Sequence, residues 1–410
     1  MQIEERQLPV SELQVGMYVS RLEVPWERTG FLLQGLMIES QRDIDAIARY
    51  SRLAWIDIEK SRTLGSAPRL QTLTPGSGGY RPEESEADRL LRHEARVPFD
   101  EELAQARRAD AWLSNNIVEL LDSLRANRPI SRVQVEDAVA PVVDSISRNP
   151  DAFLWLRSIR ARDDYAYSHA INCCALAAAF GRYLGYAEDG LRELGTGGLL
   201  LDIGMSGIPK EAYDHPGPLE PTARAQVRSH VQAGLARADA EHLATGEARQ
   251  MIQCHHERHD GSGYPRGISG TDIPVAGRIA AIVDSYDAMT SERPYRAAMS
   301  RATALQELYQ HRGKRYQPEM VELFLRCLGV YPVGTLVELT HGEIAIVMAQ
   351  NPSRRLRPRL MVLTDTAKRL LADFMPFDLL HGGDSAGDGV HIVRSVPPGS
   401  YGLDPQQLFL

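Results

Sequence analysis

Residues 252–296 read IQCHHERHDGSGYPRGISGTDIPVAGRIAAIVDSYDAMTSERPYR. The stretch opens on adjacent imidazoles, His255 and His256, and continues to Asp284 and Asp287, which sit among Ile279, Ala280, Ile282, Val283 and Tyr286. A carboxylate on an apolar helix face is costly to bury unless a cation or hydrogen bonds satisfy it. Nitrogen ligands upstream and oxygen ligands downstream suit Fe or Mn, and no cysteine stands at zinc-site spacing. His169, Asp202 and His230 lie further upstream, each flanked by apolar or small residues in a helical pattern. A lone histidine is usually structural, whereas several on separate helices point to one centre. A pair of ions about 3.5–4 Å apart polarises a phosphoryl group and generates hydroxide, so the chemistry in view is hydrolysis of a phosphate ester.

Between the two clusters, Asp260-Gly261-Ser262-Gly263-Tyr264-Pro265 forms a glycine-rich turn whose backbone can approach a ligand closely. Tyr264 adds a hydroxyl and a stacking face. Arg293 and Arg296 follow Asp287; arginine suits bidentate recognition of phosphate, and surface arginines capping a helix end would have the same spacing. His259 lies four residues after His255, so it is either a further ligand on the next helical turn or a solvent-facing side chain.

Bringing residues so far apart in sequence to one centre requires a helical scaffold. From residue 84 to about residue 329 most of the pattern is helical: Leu113, Ile117, Leu120, Leu121 and Leu124 share one face, and Val135, Val139, Val142 and Val143 another. A short helix starts after Pro150, and helices are predicted over 165–184, 188–203, 219–238, 246–258, 275–291 and 299–310. Residues 1–60 alternate as a small α/β module, with strands at 15–19, 31–33 and 54–58 and a helix over 44–48 capped by Ser40. The Pro/Gly-rich residues 61–83 are a predicted linker, 84–149 a helical connector, and 150–330 the domain that carries the centre. Residues 331–410 form a β-rich extension with strands at 333–339, 343–349, 359–363 and 390–396. The expected fold class is mainly α: a helical bundle with a small N-terminal α/β module and a small C-terminal β element.

At 410 residues, 43% hydrophobic and 24% charged, the chain suits a globular protein of two or three domains. A net charge of −8 argues against a nucleic-acid polymer or a membrane surface as partner, and is compatible with a small anion held by local arginines. Four cysteines, Cys173, Cys174, Cys254 and Cys327, are too few for a disulfide framework and fit a reducing cytoplasm as buried small hydrophobes. No basic-then-apolar leader opens the sequence, and no apolar run approaches the roughly 20 residues of a membrane span.

Residues 150–330 resemble the HD-GYP family, a branch of the HD metal phosphohydrolases whose members hydrolyse the bacterial second messenger cyclic di-GMP to pGpG or GMP. The match runs through His255-His256-Glu257, Asp260-Gly261-Ser262-Gly263-Tyr264-Pro265, Gly270, Ile273-Pro274, Arg278-Ile279, Asp284, Asp287-Ala288 and Ser291-Glu292-Arg293-Pro294-Tyr295-Arg296. Residues 1–60 also look like the small domain that often precedes this one. The resemblance implies a divalent-metal cofactor, Fe or Mn, of up to two ions. One would be held by His230, His255 and His256, the other by His169 and Asp284, with Asp202 bridging. It further implies that Asp202 and Asp287 serve catalysis, and that Gly263, Tyr264, Pro265, Arg293 and Arg296 hold cyclic di-GMP. The HD-type helical bundle is the fold it implies.

One short motif departs from the family. His-Asp-Ile-Gly-Lys is replaced here by Leu201-Asp202-Ile203-Gly204-Met205. Leu201 cannot coordinate, and losing even a partner of a ligand commonly costs about 10–100-fold in affinity or activity. Met205 removes a cation that would face the phosphate. Tyr165 stands where some members place a glutamate for a third ion. Three readings are open: a cyclic di-GMP phosphodiesterase in which water replaces the missing ligand; a domain that binds cyclic di-GMP or a GGDEF-type partner without hydrolysis; and a phosphohydrolase for another nucleotide, which the Gly-Tyr-Pro signature disfavours. Each is compatible with a homodimer.

Overall fold

The computed structural model describes residues 5–24, 29, 36–38, 40–57, 95–126, 128–159, 165–209, 212, 217, 219–292, 297–351, 354, 356–381 and 389–405. They fall in two compact units, one within Met1–Leu73 and one within Thr74–Leu410. The predicted strand at 31–33, the predicted linker at 61–83 and the two arginines Arg293 and Arg296 lie outside the described residues.

In the N-terminal unit, β1 (Glu5–Pro9), β2 (Tyr18–Leu22), β3 (Leu36–Met37) and β4 (Leu53–Asp57) pair antiparallel in the order β1-β4-β2-β3. Helix α1 (Gln41–Ala48) contributes Ile44 and Ile47 to a core shared with Val19, Leu22, Ala54 and Ile56. Ser40 and Asp43 form a reciprocal capping box at its start, as the serine suggested. The strand expected at 15–19 begins three residues later, because Gly16 adopts a positive φ of 99° and donates its N–H to the Ile38 carbonyl in a turn. β1 has a largely polar sequence and pairs only with β4, which is why alternation did not reveal it.

The second unit is mainly helical. Its helices are α2 (Phe99–Arg125), α3 (Arg132–Arg148), α4 (Pro150–Ile159), α5 (Tyr165–Leu184), α6 (Glu188–Leu200), α7 (Pro221–Arg228), α8 (His230–Ala240), α9 (Gly246–Cys254), α10 (Val275–Thr290), α11 (Arg301–Gln310) and α12 (Pro318–Leu328). α5 is the hub, buried along nearly its whole length and packed against α2, α3, α4, α6, α10 and α12. Its run of alanines with Gly181 and two cysteines lets neighbouring backbones come close.

Two predicted helices end differently. The helix expected over 219–238 is two helices, α7 and α8, separated at Ser229, whose hydroxyl donates to the Gln226 carbonyl and competes with the helical ladder. The helix expected over 246–258 stops at Cys254, so His255 and His256 occupy the turn that follows it. Helix α12 was not anticipated. After it comes an antiparallel sheet of β5 (Leu336–Leu339), β6 (Ile344–Ala349), β7 (Arg359–Thr364), β8 (Leu370–Asp378) and β9 (Ile392–Val396), in the order β8-β7-β6-β5-β9. β8, the strand missed from sequence, is an edge strand that carries Pro376 and exposes most of its side chains. The sheet is tied to the bundle by the Gln350 N–H, which donates to Asp151 Oδ2 of α4 at 2.7 Å. Among the described residues no helix is long and apolar enough to cross a membrane.

Candidate metal centre

Five segments of the bundle deliver six side chains to one cleft. His169 comes from α5, Asp202 from the turn after α6, His230 from the first position of α8, His255 and His256 from the turn closing α9, and Asp284 from α10. The approach of Asp202 to His230 depends on Gly204 in the short helix Ile203–Gly207: a Cβ there would fall 2.0 Å from the His230 carbonyl oxygen and 2.5 Å from Gly234 N. Only glycine allows the two backbones to touch.

Hydrogen-bond polarity fixes which ring nitrogens are free. His230 Nδ1 lies 2.6 Å from the Val227 carbonyl and His255 Nδ1 2.9 Å from the Ile252 carbonyl. A carbonyl can only accept, so both Nδ1 atoms carry the proton and both Nε2 atoms present lone pairs when the rings are neutral. Those Nε2 atoms are 3.2 Å apart, and 3.3 and 3.8 Å from Asp202 Oδ1. Three acceptors thus face one another, and a proton or a cation must lie among them. On the other side of Asp202, Oδ2 is 3.5 Å from His169 Nε2, which is 3.4 Å from Asp284 Oδ1. His256 Nδ1 is 3.8 Å from Asp284 Oδ2. One carboxylate therefore faces His230 and His255 with one oxygen and His169 with the other.

The charge states follow from this crowding. Burial acts to raise the Asp202 carboxyl, but His230, His169 and His255 outweigh it and hold it far below the usual carboxylate range. Asp284 is likewise opposed by burial and held low by His169 and His256. Burial pushes His255 down, and burial with the neighbouring His255 pushes His256 well below the histidine range. Burial works against charge on His169 and His230 as well, yet their acidic surroundings raise both. The Asp202 side chain is 39% exposed, whereas those of His230 and His255 are 2% and 0% exposed, so the centre opens to solvent through the carboxylate.

These donors fit divalent metal. The ligand atoms of Asp202, His230, His255 and His256 all lie within 4.8 Å of one another, and imidazole with carboxylate is a donor set for divalent metal. Cys173 lies 3.7 Å from His169, and burial pushes its thiol up to about 12; with His169 and Asp287 it forms a second, fully buried group of potential ligand atoms behind the cleft. Cys254 is buried too, and a Cβ on Gly277 would fall 2.6 Å from its Cβ, the close fit of a packing residue. Leu201 is 1% exposed and offers no donor beside Asp202, and Met205 is partly exposed in the turn that follows. Tyr165 stacks on His169 with ring centroids 5.4 Å apart.

The Gly-Tyr-Pro loop is seated directly on the paired histidines. Tyr264 N–H donates to the His256 carbonyl, and its ring stacks on the His256 imidazole at 4.6 Å. A Cβ on Gly263 would fall 2.4 Å from Arg258 N and 2.5 Å from the His256 carbonyl oxygen, so the loop lies flat on that backbone because position 263 is glycine. Glu257 braces it from beneath by accepting the Arg266 N–H at 2.8 Å. The Arg228 guanidinium sits 4.7 Å from the Tyr264 ring centroid, exposed and without a carboxylate partner among the described residues.

His169, Asp202, His230, His255, His256 and Asp284 are thus brought together, with Gly263, Tyr264 and Pro265 at their rim. Asp287, expected beside Asp202 in catalysis, is 2% exposed and turned behind His169: Oδ2 accepts from His169 Nδ1 at 2.7 Å and Oδ1 from Asn172 at 2.8 Å. His259 is not part of the cluster; the chain has left the helix by then, and its N–H donates to the Arg315 carbonyl. Sequence reasoning passed over Asn172, which lies three residues after His169 on the same helix, and Arg228, two residues before His230. Helical spacing from a known ligand was the signal for Asn172.

An HD domain model matches residues 154–320, and a model of a domain of unknown function, DUF3391, matches residues 5–135. The chain is 30% identical over 405 residues to the cyclic di-GMP phosphodiesterase PA4108 of Pseudomonas aeruginosa, covering 93% of this chain and 90% of that protein. It is 36% identical over 168 residues to a cyclic di-GMP phosphodiesterase of Thermotoga maritima, covering 40% of this chain and 45% of that one. Among solved structures, Bd1817, an HDG"Y"P protein from Bdellovibrio bacteriovorus, aligns over 78% of this chain and 98% of its own at 14% identity, with a TM-score of 0.46. A relative matched along nearly its full length, together with a Gly-Tyr-Pro loop stacked on paired histidines, shows that this chain belongs to the HD-GYP branch of the HD-domain family.

Proposed function

We propose that the chain is a metal-dependent phosphodiesterase of bacterial second-messenger signalling, acting on cyclic di-GMP. The observation that carries the reading is the meeting of Asp202 Oδ1, His230 Nε2 and His255 Nε2, three acceptors when the rings are neutral, which a shared cation would reconcile. One ion would be held there with His256, and a second by His169, Asp284 and the other oxygen of Asp202; Fe or Mn suits both. Bound metal polarises a phosphoryl oxygen and lowers the pKa of a bound water to about 7. Tyr264, stacked on His256 and lying under Arg228, stands at the rim where a guanine would enter, Gly263 and Pro265 keep the loop close, and Asp287 keeps His169 oriented. Arg293 and Arg296 are assigned to the phosphates by resemblance. The domain over 150–330 carries this chemistry, and the four unpaired cysteines suit a cytoplasmic protein.

A second reading is favoured by one observation. Leu201 is buried at the ligand position and Met205 replaces the lysine, so the second ion is held by fewer groups and one phosphate-facing cation is missing. In this reading the protein binds cyclic di-GMP, alone or with a GGDEF-type partner, as a receptor. Metal analysis of protein purified without oxygen, paired with cyclic di-GMP turnover under Mn(II) or Fe(II), separates the two. Two metals per chain with pGpG or GMP formed supports the enzyme. One metal, nucleotide bound and no product supports the receptor, and neither metal nor nucleotide bound would sink both.

A further inference from the structure

We infer that Asp110, Arg157 and Asn172 are positioning residues that set the tautomer and aim of His169, linking helix α2 to the metal centre. The inference rests on the proposed metal-binding reading and adds residues that no family resemblance assigned. Four hydrogen bonds make a continuous buried chain. Arg157 Nη1 donates to Asp110 Oδ1 at 3.1 Å, and Arg157 Nε donates to Asn172 Oδ1 at 3.0 Å. Asn172 Nδ2 donates to Asp287 Oδ1 at 2.8 Å, and Asp287 Oδ2 faces His169 Nδ1 at 2.7 Å.

The polarity of this chain is dictated from its far end. A guanidinium can only donate, so the Asn172 atom it meets must be the oxygen. The Asn172 amide nitrogen must then point at Asp287, whose Oδ1 accepts from it, while Oδ2 accepts from the Ser291 hydroxyl at 3.3 Å. A neutral His169, the form that can ligate, satisfies Asp287 by carrying its proton on Nδ1, which leaves the Nε2 lone pair aimed at Asp202 and Asp284. With Leu201 supplying no ligand on that side, the aim of His169 carries more of the binding there than it would in a fully liganded site. Arg157 and Asp110 have side chains 6% and 1% exposed, so the pair is sealed from solvent and neither charge has water as a substitute.

The reach of the chain is unexpected. Arg157, Asn172 and Asp287 fall within the residues matched to the HD domain, but Asp110 lies on α2, within the stretch matched to the domain of unknown function. The outer support of one metal ligand thus comes from a helix N-terminal to the catalytic domain.

The test uses the full metal-free chain titrated with Mn(II), with free ion followed by electron paramagnetic resonance. Asp110→Asn and Asn172→Ala should each weaken Mn(II) binding by about 10–100-fold, and Asp110→Glu should restore most of it. Glu102→Gln is the control: Glu102 is a second buried carboxylate on α2, bonded to Ser145 and Arg148 and unconnected to His169. It should lower the melting temperature and leave Mn(II) affinity alone. Asn172→Ala leaves the Arg157–Asp110 pair intact, so it carries the test if Asp110→Asn fails to fold. Unchanged Mn(II) affinity in the folded variants, or an equal loss in Glu102→Gln, would overturn the inference. Absence of Mn(II) uptake by the unaltered chain would instead overturn the proposed metal reading, and this one with it.

Discussion

On the proposed mapping of the motif, Leu201 and Met205 are where this chain parts from the family pattern, and the effect expected of them is local. Leu201 is a buried apolar side chain beside an Asp202 whose two oxygens face different histidines. Changing Leu201→His together with Met205→Lys should raise both metal content and cyclic di-GMP turnover; if neither rises, the positional mapping of the motif is wrong. Tyr264 is a second residue with a separable role, stacked on His256 by one face and lying under Arg228. Tyr264→Phe should keep nucleotide affinity, and Tyr264→Leu should weaken it by about tenfold, the scale of one lost stacking contact. Isothermal titration with cyclic di-GMP at constant metal reads both. An equal loss in Phe and Leu would assign the effect to the hydroxyl instead.

At the scale of elements, the join between α4 and the C-terminal sheet carries a titratable strut. Burial raises the Asp151 carboxyl to about 6, against the Gln350 N–H and Arg182, which lower it. The sign follows from linkage: between about pH 4 and pH 6 the folded chain keeps a proton that the unfolded chain has lost, so stability from this group falls as pH rises through that window and is flat above it. Asp151→Asn keeps an acceptor for Gln350 and removes the cost of burying charge. It should abolish the slope and stabilise the chain on the order of 2 kcal/mol near neutral pH, read by urea unfolding at both ends of the window. A variant less stable at neutral pH would show that the carboxylate itself is needed. Elements also decided the position of the candidate ligands: His230 heads α8 because Ser229 interrupts the helix, and His255 and His256 share a turn because α9 stops at Cys254.

For the molecule as a whole, metal and fold are coupled. Six ligand candidates come from five segments spread between α5 and α10, so a bound ion ties together most of the bundle. Ion at about 100 times its dissociation constant adds about 2.7 kcal/mol to the folded state. Adding Mn(II) to the metal-free chain should therefore raise its melting temperature, chelator should reverse the rise, and His255→Ala should cancel it. A rise that persists in His255→Ala would place the ion elsewhere. The gain belongs to the helical unit, because the N-terminal sheet closes a core of its own around Val19, Ile47 and Ile56.

What the sequence determined alone was local and chemical. Helical spacing located the hub helix α5 at its observed bounds, Ser40 marked the start of α1, and the residue types named the imidazoles and carboxylates that meet in the cleft. Strands β1 and β8 escaped because β1 is largely polar and β8 carries Pro376 and exposes most of its side chains, so neither shows a clean apolar alternation. Tertiary structure alone decided the roles within the centre. Which oxygen of Asp202 faces which histidine, the orientation of Asp287 behind His169 and the passage of a buried hydrogen-bond chain to Asp110 all depend on contacts between helices far apart in the chain. Periodicity records which face of a helix is buried; it holds no record of what stands opposite, and hydrogen-bond polarity is set by that opposing group.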